Sequence, residues 1–175
     1  MQTPNTRRTL VGLATLAAIH ASSAFAAALD KNDRDFFEAA AVTGQFEIRS
    51  SELALTRASD PDARSFAQTM VREHKQLADK LGSLASSKGV KLPTALDPEH
   101  AQQLDKLRSA KSPKEFDETY ADLMEDSHDN AVKLFKDAAD KAKDPQLRAF
   151  AKNNVAALEQ HSAAAEKLDA KDVSP

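Results

Sequence analysis

Apolar residues recur three and four positions apart along most of this chain, the spacing of helices that each bury one face. Over residues 61–88 the stripe reads Phe66, Met70, His74, Leu77, Leu81 and Leu84. Over 113–142 it reads Phe116, Tyr120, Met124, His128, Ala131, Phe135 and Ala138. Over 145–170 it runs Leu147, Phe150, Asn154, Leu158, His161, Ala165 and Leu168. A weaker stripe over 33–58 contains Phe37, Ala40, Gly44, Glu47, Ser51, Ala54 and Ala58.

The helix starts are marked by their chemistry. Asp60-Pro61, Asp97-Pro98, Ser112-Pro113 and Asp144-Pro145 each set a capping side chain before a proline. The side-chain oxygen accepts from an otherwise unpaired N–H, and proline suits the first helical position. Glu115 completes a capping box with Ser112, and Gly89 is a natural stop.

Four long helices follow, with turns so short between the first and second, and the third and fourth, that each pair must be an antiparallel hairpin. Residues 89–112 join the hairpins, with a short helix near 98–108. The expected fold is all-α: a ferritin-like four-helix bundle of two hairpins and one long crossover. "DPDARSFAQ" at 60–68 matches "DPQLRAFAK" at 144–152, which suggests that the hairpins are an internal repeat.

Composition narrows this picture. The 175 residues suffice for one domain with a core. Cysteine is absent, which excludes disulfides and thiolate metal sites. Residues 1–26 read as a cleaved signal peptide: Arg7 and Arg8, an apolar run too short to span a bilayer, then Ala24-Phe25-Ala26. The paired arginines leave both ordinary secretion and twin-arginine export open. Residues 27–175 then form a single mature domain, expected in the periplasm. Cleavage removes two of the 24 basic residues and none of the 27 acidic ones, leaving a net charge of −5 with histidine neutral. That opposes a nucleic-acid partner and electrostatic docking to anionic lipid. After cleavage no integral membrane segment remains.

The candidate chemistry lies in the polar interruptions of the stripes. Glu47, His74, His128 and His161 each fall near the middle of a helix, a height shared whichever way a helix runs. In a bundle they would converge. Imidazoles with a carboxylate suit a transition metal such as Fe, Zn or Cu. Glu125, three residues before His128, makes one Glu-x-x-His motif; a regular di-iron centre needs two. Met70 and Met124 are thioethers that also suit core filling. His100 lies off the stripes, in the crossover. A second reading needs no metal: the histidines, with Glu47, Tyr120 and Asn154, would form a hydrogen-bond network that fixes helix register. Ser51 and Ser127 lack a nucleophile-elbow context, so no catalytic residue is assigned and the chain reads as a non-enzyme.

The segments "DRDFFEAAAVTGQFEIRSSELAL", "FAQTMVREHKQL", "KGVKLP", "YADLMEDSHDNAVKLF" and "DPQLRAFAKNNVAALEQH" resemble the domain of unknown function 4142 family over about residues 30–168. Met70, Val71, Glu73 and His74 match one family segment, and His128 and His161 match its later histidines. The resemblance implies a ferritin-like bundle and carries no activity. Members are often labelled outer-membrane proteins, a label that neither alternating strands nor a lipobox cysteine supports here. Two functions compete: an exported metal-binding bundle using Glu47, His74, His128, His161 and Glu125, or a non-catalytic envelope or stress protein acting through a protein partner or as a homo-oligomer. Insertion of amphipathic hairpins into lipid is a weaker third reading. Buried neutral or metal-bound histidines further imply a loss of stability or metal below about pH 6.5.

Overall fold

The structure, a computed structural model, describes residues 29–172, with side chains described through residue 168. The proposed signal segment, 1–26, lies outside the described residues. Five helices form: α1 (Lys31–Arg57), α2 (Pro61–Ser87), α3 (Pro98–Ser109), α4 (Pro113–Lys141) and α5 (Pro145–Asp172). No helix among the described residues is long and apolar enough to cross a membrane.

The caps determine where the helices begin. Asp60 accepts from the Asp62 N–H, Asp97 from the His100 N–H, and Ser112 from the Glu115 N–H, each with proline in the first turn. Glu115 in turn accepts from the Lys111 N–H at 2.7 Å. At the end of α2, Gly89 takes φ 68°, a conformation open to glycine without a Cβ clash. There the Val90 N–H reaches the Ala85 carbonyl and the Gly89 N–H the Ser86 carbonyl, the Schellman arrangement that satisfies the last carbonyls of a helix.

The four long helices form a ring, α1–α2–α5–α4, and α3 lies across α1 and α4. Two buried carboxylates fix how the hairpins meet. Asp117, in the first turns of α4, accepts from the Ser59 and Asp60 N–H groups and the Ser59 hydroxyl, at the α1–α2 turn. Asp33, in the first turn of α1, accepts from the Lys143 and Asp144 N–H groups, at the α4–α5 turn. Each hairpin therefore caps the other's turn. Asp33 and Asp117 stand 84 residues apart, the offset that also relates Asp60 to Asp144. The repeat seen in the sequence thus extends to reciprocal packing.

These contacts make ring neighbours antiparallel and place the crossover along the length of the bundle. Two apolar clusters fill the interior. One holds Phe46, Phe66, Met70, Phe116, Tyr120 and Met124. The other holds Phe36, Phe37, Leu81, Phe135, Leu147 and Leu158. The polar mid-helix residues lie between them.

Candidate metal centre

Glu47, His74 and His128 are 1 %, 2 % and 0 % exposed, and His161 is 8 %. They come from α1, α2, α4 and α5, one per long helix. His74 Nε2 lies 3.3 Å from His128 Nε2 and 3.3 Å from His161 Nδ1. One nitrogen from each ring falls within 4.8 Å of the others.

The opposite nitrogen of each ring faces an acceptor. His128 Nδ1 donates to the Met124 carbonyl at 2.7 Å. His161 Nε2 donates to Glu73 Oε2 at 2.7 Å. His74 Nδ1 is 2.8 Å from Glu47 Oε2, a close charge contact that is out of line with the ring N–H and so is not a well-formed hydrogen bond. A carbonyl or carboxylate oxygen cannot donate, so these outer nitrogens carry the protons. In the neutral rings, the three inner nitrogens then present lone pairs to one another.

Three converging acceptors without a donor are unstable away from water. A single proton on His74 Nε2 relieves only part of this, because one N–H cannot make two straight bonds at once. A metal ion would accept all three lone pairs. With metal–nitrogen bonds of about 2.0–2.1 Å, tetrahedral ligands stand about 3.3–3.4 Å apart, as two of the three pairs here do. The outer acceptors are also the partners that orient metal-bound histidines. The donor set therefore fits a transition-metal ion.

The surroundings bias the charges. Burial pushes Glu47 up, but the charges of His74 and His128 beside it, with the close His74 contact and the bond from Ser127, hold its pKa down at about 2. Burial alone would lower His74; the Glu47 charge and contact, with Glu73, raise it instead. His128 is lowered by burial, against the opposing pull of Glu47. His161 is lowered by burial too, against its bond to Glu73. Of the three histidines, His74 is the one whose charged form the Glu47 carboxylate supports.

Glu47 sits beside the triad rather than within it. Its Oε1 accepts from Ser127 Oγ at 2.9 Å and is 3.8 Å from His128 Nε2. Glu125 is half-buried on α4 and is not among the converging groups. The carboxylate that meets the third histidine is Glu73, which the stripe pattern passes over. The signal was its place one residue before His74, where it faces sideways toward α5. The network partners also differ from expectation: Tyr120 pairs with Ser51 at 2.9 Å, and Asn154 donates to the Phe150 carbonyl of its own helix. Neither the Ser51 nor the Ser127 hydroxyl bonds to an imidazole. Met70 and Met124 are buried in an apolar cluster.

The family profile described as "Domain of unknown function (DUF4142)" matches residues 18–168. The chain belongs to the DUF4142 family. Among curated proteins, none matches it. Solved structures share the DUF4142 fold seen here at low identity. A DUF305 fragment from Deinococcus radiodurans is 15 % identical with a TM-score of 0.70, covering 82 % of this chain and 98 % of its own. CopM in the Cu(II)-bound form is 17 % identical with a TM-score of 0.67, covering 79 % and 96 %. CopM in the Cu(I)-bound form is 16 % identical with a TM-score of 0.68, covering 81 % and 98 %. At such identities the likeness is one of fold.

Proposed function

We propose that this DUF4142 protein is an exported metal-binding bundle that holds one transition-metal ion between His74, His128 and His161. Glu47 and Glu73 act as outer carboxylates in this reading, with Glu47 balancing charge at the buried centre and Glu73 orienting His161. Export rests on the character of residues 1–26. The observation that carries the metal reading is the convergence of one ring nitrogen from each of the three buried histidines, with those of His128 and His161 left as acceptors by the bond each ring makes on its other side.

Copper is the first ion to test. Imidazole suits copper, zinc, iron and nickel, and the CopM structures of similar fold are described as Cu(I)-, Cu(II)- and Ag-bound. Three histidines would leave a further coordination position for water or an exogenous ligand.

The test is metal content after loading untagged protein separately with copper, zinc and iron, followed by removal of loosely held ions. One equivalent of one of them is expected in the wild type, and none in a His74→Ala/His128→Ala/His161→Ala variant. No retained ion under any loading condition would leave the metal-free alternative. In that case the His74–Glu47 pair would set helix register only.

A further inference from the structure

Three cavities reach the buried triad, and they differ in chemistry. One is a cavity of about 110 Å³ bounded by Ala40, Gly44, Leu77, Leu81, Ala131 and Phe135, which reaches Glu47 and His74. Its wall is almost wholly apolar. Apart from Thr43 and Gln45, a hydrated cation meets little there to replace its water until it reaches Glu47 and His74 at the inner end, and that loss is expensive. The other two open on the α2–α5 seam, the loosest-packed side of the ring: one of about 170 Å³ that passes Arg72, Glu73 and Lys80 to His74 and His161, and a cleft of about 520 Å³. Asp62, Thr69, Met70, Glu73 and His161 line this cleft, with Lys167 as a cationic neighbour. These side chains offer carboxylate, hydroxyl, thioether and imidazole donors between solvent and the centre.

His161 forms the inner end of this cleft and is the most exposed histidine of the triad. Its outer nitrogen is bonded to Glu73, whose side chain is 35 % exposed. Arg72 holds the other Glu73 oxygen at 2.8 Å, with its own side chain 61 % exposed. An exposed pair of that kind is weak and yields readily.

We propose that the α2–α5 cleft is the loading port of the metal centre, and that Glu73 is the first protein ligand an incoming cation meets before it passes to His161 Nδ1. This rests on the metal reading above and adds a path to it. Glu73 thereby has a second role besides orienting His161: it captures the ion from water. The apolar cavity on the other side admits no ion.

The experiment is stopped-flow mixing of the purified protein with Cu(II), followed by quenching of the single tyrosine, Tyr120, and paired with equilibrium stoichiometry. Glu73→Gln keeps an acceptor for the His161 N–H and loses the charge. Its association rate is expected to fall about tenfold or more, with one ion still bound at equilibrium. Ala164→Phe, which fills the cleft without touching a charge, is expected to slow loading with the same stoichiometry. Gly44→Val, which narrows the apolar cavity, is expected to load at the wild-type rate; a Cβ at Gly44 meets nothing within 4 Å. The proposal is overturned if Glu73→Gln and Ala164→Phe load as fast as wild type, or if Gly44→Val alone is slow. A change in Glu73→Gln confined to dissociation would reduce Glu73 to a positioning residue. If no protein binds an ion, the metal reading itself fails and the port falls with it.

Discussion

A histidine on a buried helix stripe must find partners, and His74 finds three: Glu47, His128 and His161. Its raised pKa and the lowered ones of its neighbours act on stability in opposite directions. For His128 and His161 the unfolded chain binds protons more readily than the folded one. Their contribution is therefore present above about pH 6.5 and is lost as pH falls toward their folded values. For His74 the contribution is complete below about pH 6.5 and fades as pH rises through its raised folded value. Glu47, held at about 2 against an ordinary 4.5, contributes above pH 4.5 and loses that contribution as pH falls toward 2. The metal-free protein is thus predicted to lose stability in two stages on acidification, from the two histidines and then from Glu47. A urea midpoint that stays flat from pH 7 to pH 3 would contradict this. The same electrostatics predict that Glu47→Ala, which strands a buried charge and the Ser127 hydroxyl, costs about 3–5 kcal/mol. Urea unfolding of that variant measures it, and a cost near zero would show that Glu47 is not the partner of His74.

At the scale of the helix, most of the design is local and therefore readable in the sequence. Capping residues before proline and stripes at helical spacing act within a few positions, and α2 to α5 begin where those signals stand. The weaker α1 stripe is as long and as buried as the others, because Phe36 and Phe46 pack beside it on adjoining faces. What the pattern could not display are contacts between distant turns. Asp33 and Asp117 look like ordinary acidic residues near a helix start, yet each caps a turn of the other hairpin. Glu73 is hidden for the same reason: its partner, His161, is on another helix. Asp117→Ala and Asp33→Ala each leave buried N–H groups unpaired, at a predicted cost of about 1–3 kcal/mol. Their effects on thermal unfolding should be of the same order, since each caps two backbone N–H groups of the other hairpin's turn, with Asp117→Ala the larger because it also frees the Ser59 hydroxyl. A stable Asp117→Ala protein beside a crippled Asp33→Ala protein would count against reciprocal capping.

For the whole molecule, hairpin connectivity and a common height bring one polar residue from each long helix to the same level. That much follows from helix length and turn length, which is why the triad was foreseeable. Which groups face inward was not, since it depends on ring orientation: Glu47 flanks the triad and Glu125 is outside it. A bound ion that prefers the folded state ties α2, α4 and α5 together, with α1 joined through the Glu47 contact to His74. Loading to about 100 times the dissociation constant should stabilise the bundle by about 2.7 kcal/mol, read as a rise in melting temperature that the triple histidine variant does not show. The central claim is tested most directly by X-ray absorption at the metal edge of the loaded protein. The account predicts a first shell containing three imidazole nitrogens at about 2.0 Å, with one lost in each single His74→Ala, His128→Ala or His161→Ala protein. A shell without histidine nitrogen, or one unchanged in all three variants, would contradict it.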